Sequence, residues 1–118
     1  MILAIIGSRN LFPDISKYIK LLDTVDEIVS GGAKGVDSRA RAYALAHNIK
    51  LTEFLPDYKK YGRPAPLIRN RLIVDNADEV LAFWDEKSTG TIYTIKYAVQ
   101  TGKPVHLFVR TPTGYKIL

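Results

Sequence analysis

The sequence predicts a three-layer α/β/α sandwich on a mainly parallel sheet of about five strands. Three observations predict it. Short apolar runs of strand length alternate with stretches at helical spacing along the whole chain. The first run, Ile2–Ile6, is apolar at every position, as a strand covered on both faces is. No repeat, low-complexity stretch or linker interrupts the alternation, so the 118 residues read as one domain, 1–118.

The elements follow in order. After the first strand, Ile15, Tyr18, Ile19 and Leu22 recur at helical spacing, with Asp14 placed as N-cap behind Pro13. DEIVS is a second short strand, and Val36, Ala40, Tyr43 and Ala44 form the stripe of a second helix. KLTEFL is a third strand. APLIRNRLIVDNA is a helix with Ile68 and Leu72 on one face. EVLAFW is a fourth strand. Thr91, Ile95, Ala98 and Val99 mark a helix that Gly102 caps and Pro104 ends. PVHLFV is a fifth strand, and the tail TPTGYKIL leaves room for a turn and one further edge strand. Strand, helix, strand in repetition implies parallel pairing with right-handed crossovers.

Composition limits the function classes. Hydrophobic residues make up 47% of the chain, enough for a core without cross-links, and there is no cysteine for a disulfide or thiolate site. His47 and His106 lack ligand spacing, so no metal is expected. No apolar run reaches membrane length, and MILAIIGSRN lacks the basic start of a signal peptide, so the expected location is the cytoplasm. A net charge of +5 favours anionic partners without choosing among them.

In a parallel sheet the loops at the strand C-termini share one edge, where ligands bind. Here those loops are GSRN, GGAKGVDS, PDYKKYGRPAP and WDEKSTGT, which hold six of the eight glycines. Small residues let backbone N–H groups approach a phosphate, and a helix N-terminus adds positive potential. GGAKGVDS and KSTGT both precede helices, so both are candidate anion cradles, with Gly31, Gly32, Gly35, Ser88, Thr89, Gly90 and Thr91 as their residues and Gly7 and Ser8 of GSRN as further candidates. Turn and cap chemistry alone explains the same composition. Neither loop is a P-loop or a G-x-G-x-x-G fingerprint.

Other edge residues carry two readings each. Arg9 clamps a phosphate or is a surface charge. Of Arg63, Arg69 and Arg71, with Asn70 beside them, one faces the loops. Tyr58, Tyr61 and Trp84 stack on a base, or Trp84 closes the top of the core. Asp37 binds a ribose hydroxyl or caps the second helix, and Asp57 and Asp85 divide the same way between ribose contact and turn chemistry.

Taken in order, IIGSR, SGGAKGVD with RAYA, PDYKKYGRPAPLIRNRLIVDNADEVLAFWDEKSTGT, and GKPV resemble the SLOG superfamily, which groups Smf/DprA and LOG proteins, and within it the stand-alone YspA-type branch. The resemblance runs to about Val109. It implies a Rossmann-like fold with strand one between strands two and four. It further implies a nucleotide or nucleotide-derived ligand, such as an ADP-ribose-like molecule, bound by a sensor or sequestering module. No cofactor is required, and a homo-oligomer is expected. On this reading Gly31, Gly32 and Gly35 leave room for the ligand.

Two branches of the superfamily imply other activities. LOG enzymes hydrolyse the N-glycosidic bond of nucleoside monophosphates. Arg69 falls at their catalytic arginine, but their glutamate position is Thr94, which cannot supply a carboxylate. DprA-type proteins bind single-stranded DNA, and RNRLI, ADEVL and STGT resemble their core.

Overall fold

The computed structural model describes residues 1–118. The six strands are β1 (Ile2–Gly7), β2 (Glu27–Ser30), β3 (Lys50–Glu53), β4 (Glu79–Trp84), β5 (Val105–Thr111) and β6 (Gly114–Ile117). They form one sheet in the order β3-β2-β1-β4-β5-β6. Pairing is parallel from β3 to β5, and β6 returns antiparallel on β5 as an edge strand. β1 therefore lies between β2 and β4. The order reverses there, so the loops after β1 and β4 flank a crevice at the C-terminal edge.

Five helices connect the strands: α1 (Ile15–Ile19), α2 (Val36–Ala46), α3 (Tyr58–Tyr61), α4 (Ala65–Asp75) and α5 (Thr89–Gln100). Side chains of β1 alternate between two cores, as the strand period requires. Leu3 and Ile5 pack with Ile15 and Ile19 of α1 and with Val36, Ala40 and Ala44 of α2. Ala4 and Ile6 pack with Ile73 and Val74 of α4 and with Ile95 and Ala98 of α5. Both faces of β1 are thus covered, which is why its sequence shows no polar alternation. On the α1–α2 side the tail contributes Tyr115, whose ring meets Phe83 at 5.5 Å and Tyr18 at 6.1 Å. No helix is long and apolar enough to cross a membrane.

The helix ends show local causes. Asp14 caps α1, its carboxylate accepting from the Ser16 N–H at 3.2 Å. Gly102, at φ 79°, follows the end of α5 in a left-handed conformation.

Three readings of the sequence need correction. The loop after β3 contains an additional turn, α3, capped by Asp57, which accepts from the Lys60 N–H at 3.1 Å. On α4 the buried face is Ala65, Arg69, Ile73 and Val74, whereas Leu72 is 43% exposed and Ile68 only half-buried. An arginine was drawn inward by polar partners, and that rotated the helix away from its most obvious apolar pair. On α5, Val99 is 63% exposed, and Thr91, Thr94, Ile95 and Ala98 form the inner face.

Gly35 is required where β1 meets α2. Its φ is +72°, and a Cβ there would lie 2.6 Å from the Ser8 carbonyl oxygen and closer still to that of Arg9. Gly62 has a similar φ of +66° but open space around it. Gly62→Ala should therefore cost about 1 kcal/mol, the left-handed penalty alone, and Gly35→Ala more than about 3 kcal/mol, because backbone must move as well. Urea unfolding midpoints of the two variants measure the difference.

Candidate functional site at the sheet edge

The loops after β1 and β4, the start of α4 and the first turn of α5 enclose a cleft of about 460 Å³ at the C-terminal edge of the sheet. Gly7, Ser8 and Arg9 line it from β1; Arg69 and Asn70 from α4; Asp85, Ser88, Thr89, Gly90 and Thr91 from the β4–α5 connection; and Asp37 from α2. Tyr58, Trp84, Gly31, Gly32 and Gly35 do not line it.

α5 supplies the donors. The Ser88 side chain makes no capping bond. The N–H groups of Thr89, Gly90 and Thr91 bond to nothing in the chain, as first-turn amides do unless a cap reaches them. The Gly90 position is bare, with nothing within 4 Å of where a Cβ would stand. The Thr91 hydroxyl has no partner within the chain. Three free amides at a helix N-terminus favour an anion.

Asp85 shapes this loop rather than facing it with a free carboxylate. Its Oδ1 accepts from the N–H of Lys87 at 2.9 Å and of Ser88 at 2.8 Å. Its own N–H donates to Ser8 Oγ at 3.2 Å, which ties the β1 and β4 loops together. Partial burial pushes the carboxyl up. The Ser88 and Lys87 amides and the Ser88 and Ser8 hydroxyls outweigh that and hold it at about 2. Trp84 has a similar role: its Nε1–H donates to the Ser88 carbonyl at 3.1 Å, and its ring packs on the α4–α5 core. These are the contacts of a side chain at the top of the core.

The loop before α2 is closed from within. Asp37 Oδ2 accepts from the Ala33 N–H at 3.1 Å, so the chain's own carboxylate fills the cradle that the glycines suggested for an anion. Burial raises the Asp37 pKa, opposed in order by the Ala33 bond, the Ser30 hydroxyl and the charge of Arg69. Ser30 Oγ is sealed from solvent, and the Asp37 carboxylate is the group its hydroxyl turns to, outside ideal hydrogen-bond geometry. Gly31, Gly32 and Gly35 lie outside this cleft, and two of them pack closely against the chain itself. A Cβ on Gly31 would lie 2.7 Å from Arg69 Nη1 and 2.8 Å from Asp37 Oδ2. Gly35 accommodates the backbone of Ser8 and Arg9. Gly31 and Gly32 both line a neighbouring cleft, Gly32 beside Leu55.

Arg69 is the member of the arginine cluster that faces the loops; Arg63 and Arg71 are exposed. Its Nη1 donates to the carbonyls of Gly31 at 2.7 Å and Phe54 at 2.9 Å, and its Nε donates to Asn70 Oδ1 at 2.8 Å. Nη2 makes no bond within the chain and is left for the cleft. Burial disfavours the charged form and Asp37 offsets part of that cost, but a guanidinium stays protonated regardless. Thr94, at the position of the LOG glutamate, lines the cleft with its hydroxyl donating to the Gly90 carbonyl at 2.8 Å. Pro66 and Leu67 were not anticipated as lining residues. The signal for them is positional, since first-turn residues of any helix after a strand reach this edge.

No family model and no curated protein matches the sequence. Two solved structures share the fold. One is DNA processing protein A (DprA) from Streptococcus pneumoniae, with TM-score 0.75 and 22% identity over 89% of this chain and 49% of that one. The other is DNA processing protein A from Helicobacter pylori, described for its single-stranded DNA binding mode. Its TM-score is 0.74 and its identity 24%, over 98% of this chain and 68% of that one. The chain thus spans about half the length of the first and two thirds of the second. At these identities the likeness is one of fold.

Two outcomes follow from the site's bonding. Arg69→Ala strands two carbonyls and leaves Asp37 uncompensated, so unfolding free energy should drop by about 3 kcal/mol, with Arg69→Lys recovering only part. For Asp85, a folded value of about 2 against an ordinary 3.8 adds stability above pH 4 that is lost as pH falls through about 2. Asp85→Asn should cost about 2 kcal/mol at neutral pH and flatten the stability profile between pH 4 and 2, read by denaturant unfolding across pH.

Proposed function

We propose that the chain binds a nucleotide of single-stranded DNA at this cleft, with the phosphate on the first turn of α5. The observation that carries the reading is the set of free amides of Thr89, Gly90 and Thr91 opening onto a cleft that Arg9 and Arg69 also line. Backbone amides and guanidinium groups recognise phosphate without reading sequence, which suits a strand of varied bases. The fold likeness to two DNA processing proteins, one described for its single-stranded DNA binding, supports DNA as the source of that phosphate. It also supports placing the chain in the DprA-related part of the SLOG superfamily, while the YspA-type branch rests on the order of the sequence motifs.

A second reading is a free nucleotide or ADP-ribose-like ligand held by a sensor. It is favoured by the volume of about 460 Å³, within the range of small-molecule pockets, and by the carboxylates of Asp37 and Asp85 at its wall. A carboxylate suits a sugar hydroxyl better than a second phosphate.

Anisotropy of a labelled oligothymidine tests both. Affinity should fall steeply between about 50 and 200 mM salt. Gly90→Val should abolish binding with the melting temperature retained, because a Cβ there meets no neighbouring atom and the added bulk crowds the proposed phosphate site. Arg9→Ala should weaken binding about tenfold. Absence of oligonucleotide binding, together with a melting temperature raised by AMP or ADP-ribose, would replace the first reading by the second.

A further inference from the structure

A second cleft of about 650 Å³ adjoins the first, sharing Arg9, Ala33 and Arg69 with it. Its other walls come from the loops after β2 and β3 and from the start of α2. Four cationic side chains line it: Arg9, Lys34, Arg41 and Arg69. Two of them are already engaged. Arg41 is neutralised by Glu53, with Nη2 to Oε2 at 2.8 Å and Nε to Oε2 at 3.0 Å. Arg69 is committed to the Gly31 and Phe54 carbonyls. Arg9 and Lys34 are exposed and form no ion pair, so both charges face solvent with no internal use. Beside them Leu55, 70% exposed, and Pro56 form an apolar ledge on the same wall. Free cations next to an apolar ledge match a nucleotide, whose phosphate is charged and whose base has an apolar face.

The two clefts meet at Arg9, on the loop after the central strand. We propose that the strand bound in the first cleft continues across Arg9 into the second. Its next phosphate then lies on Arg9 and Lys34, and the attached base on Leu55 and Pro56. The path crosses the sheet edge from α5 toward β3. It bypasses Tyr58, which is 57% exposed on α3 but lines neither cleft. This rests on the reading that the first cleft holds a nucleotide of single-stranded DNA. It adds that the minimal ligand is at least two nucleotides long, and that the second contact is made by an aliphatic ledge instead of the tyrosines.

The test compares thymidine monophosphate with oligothymidines of increasing length on the full chain. Binding should rise sharply from one nucleotide to two or three. Lys34→Ala should weaken oligonucleotide binding roughly fivefold and reduce the slope of log K against log salt by about 0.7, one phosphate contact on a single strand. Leu55→Ala should weaken it about threefold. Neither variant should change monophosphate binding, and Tyr58→Ala should change neither. All three side chains are exposed, so melting temperatures should match the parent. The second subsite is overturned if oligonucleotides bind but both variants keep the parental affinity and salt slope, if both lose monophosphate binding equally, or if Tyr58→Ala is the variant that weakens the oligonucleotide. Failure of the parent chain to bind any oligonucleotide overturns this inference together with the proposed function, a result distinct from the other three.

Discussion

The buried guanidinium of Arg69 fixes the arrangement of the sheet edge. Moving a charged group out of water costs several kcal/mol, and a protein recovers this only where partners saturate the group. Here the partners are backbone carbonyls beyond the ends of two neighbouring strands, Gly31 after β2 and Phe54 after β3, with Asn70 on the helix itself. Those carbonyls face past the sheet edge and have no strand to pair with, so they need a donor. Arg69 supplies it from α4, and three segments become one unit. The rotation of α4 follows. With Arg69 inward, Ile73 and Val74 reach the sheet one turn later, and Leu72 is left on the outside. Gly31 follows too, since any side chain there would occupy the space of the guanidinium.

The same unit distinguishes two loops that look alike in composition. Both GGAKGVDS and KSTGT are short, small-residue turns leading into helices. Before α2, Asp37 turns back onto the Ala33 amide, and Val36 N–H donates to the Ser8 carbonyl at 3.4 Å, so the chain fills part of this helix start and leaves the Asp37 and Ser38 amides without a partner. An anion placed there would meet a carboxylate. Before α5, the acidic residue sits earlier, at Asp85, and its bonds go to Lys87 and Ser88. That builds the turn but leaves the three amides after it open. The position of one aspartate relative to the helix start, two residues inside or four before, decides whether a carboxylate stands in the turn or behind it.

This explains how much the sequence disclosed. The strands and four of the helices were legible because burial on both faces and helical spacing leave direct marks in residue type, as in Ile2–Ile6 and Val36–Ala40–Ala44. The edge carrying the loops was legible because topology places it. The short turn α3 was not, since Tyr58–Tyr61 has no buried residue and is held only by Asp57. The face of α4 was not, because the partners of Arg69 are backbone carbonyls, and no residue identity reports where those point. The glycines showed that something approaches closely. At Gly31 and Gly35 it is the protein itself, a distinction that requires coordinates.

The chemistry of the lining residues bears on whether this cleft binds or cleaves. Hydrolysis of a glycosidic bond by paired carboxylates needs a proton donor whose pKa lies near the working pH, and a second carboxylate free to reach the sugar carbon or a water. Asp85, held at about 2, carries no proton to donate at neutral pH, and one of its oxygens is committed to two amides. Asp37 differs: burial raises its carboxyl pKa, and one oxygen, Oδ2, is occupied by the Ala33 N–H. Thr94 has only a hydroxyl, and that hydroxyl is spent on the Gly90 carbonyl. The donors left unspent are the amides of α5, the Thr91 hydroxyl, Nη2 of Arg69 and the side chain of Arg9. A cleft lined by free donors, in which each carboxylate spends an oxygen on the chain's own amides, has the polarity that suits an anion.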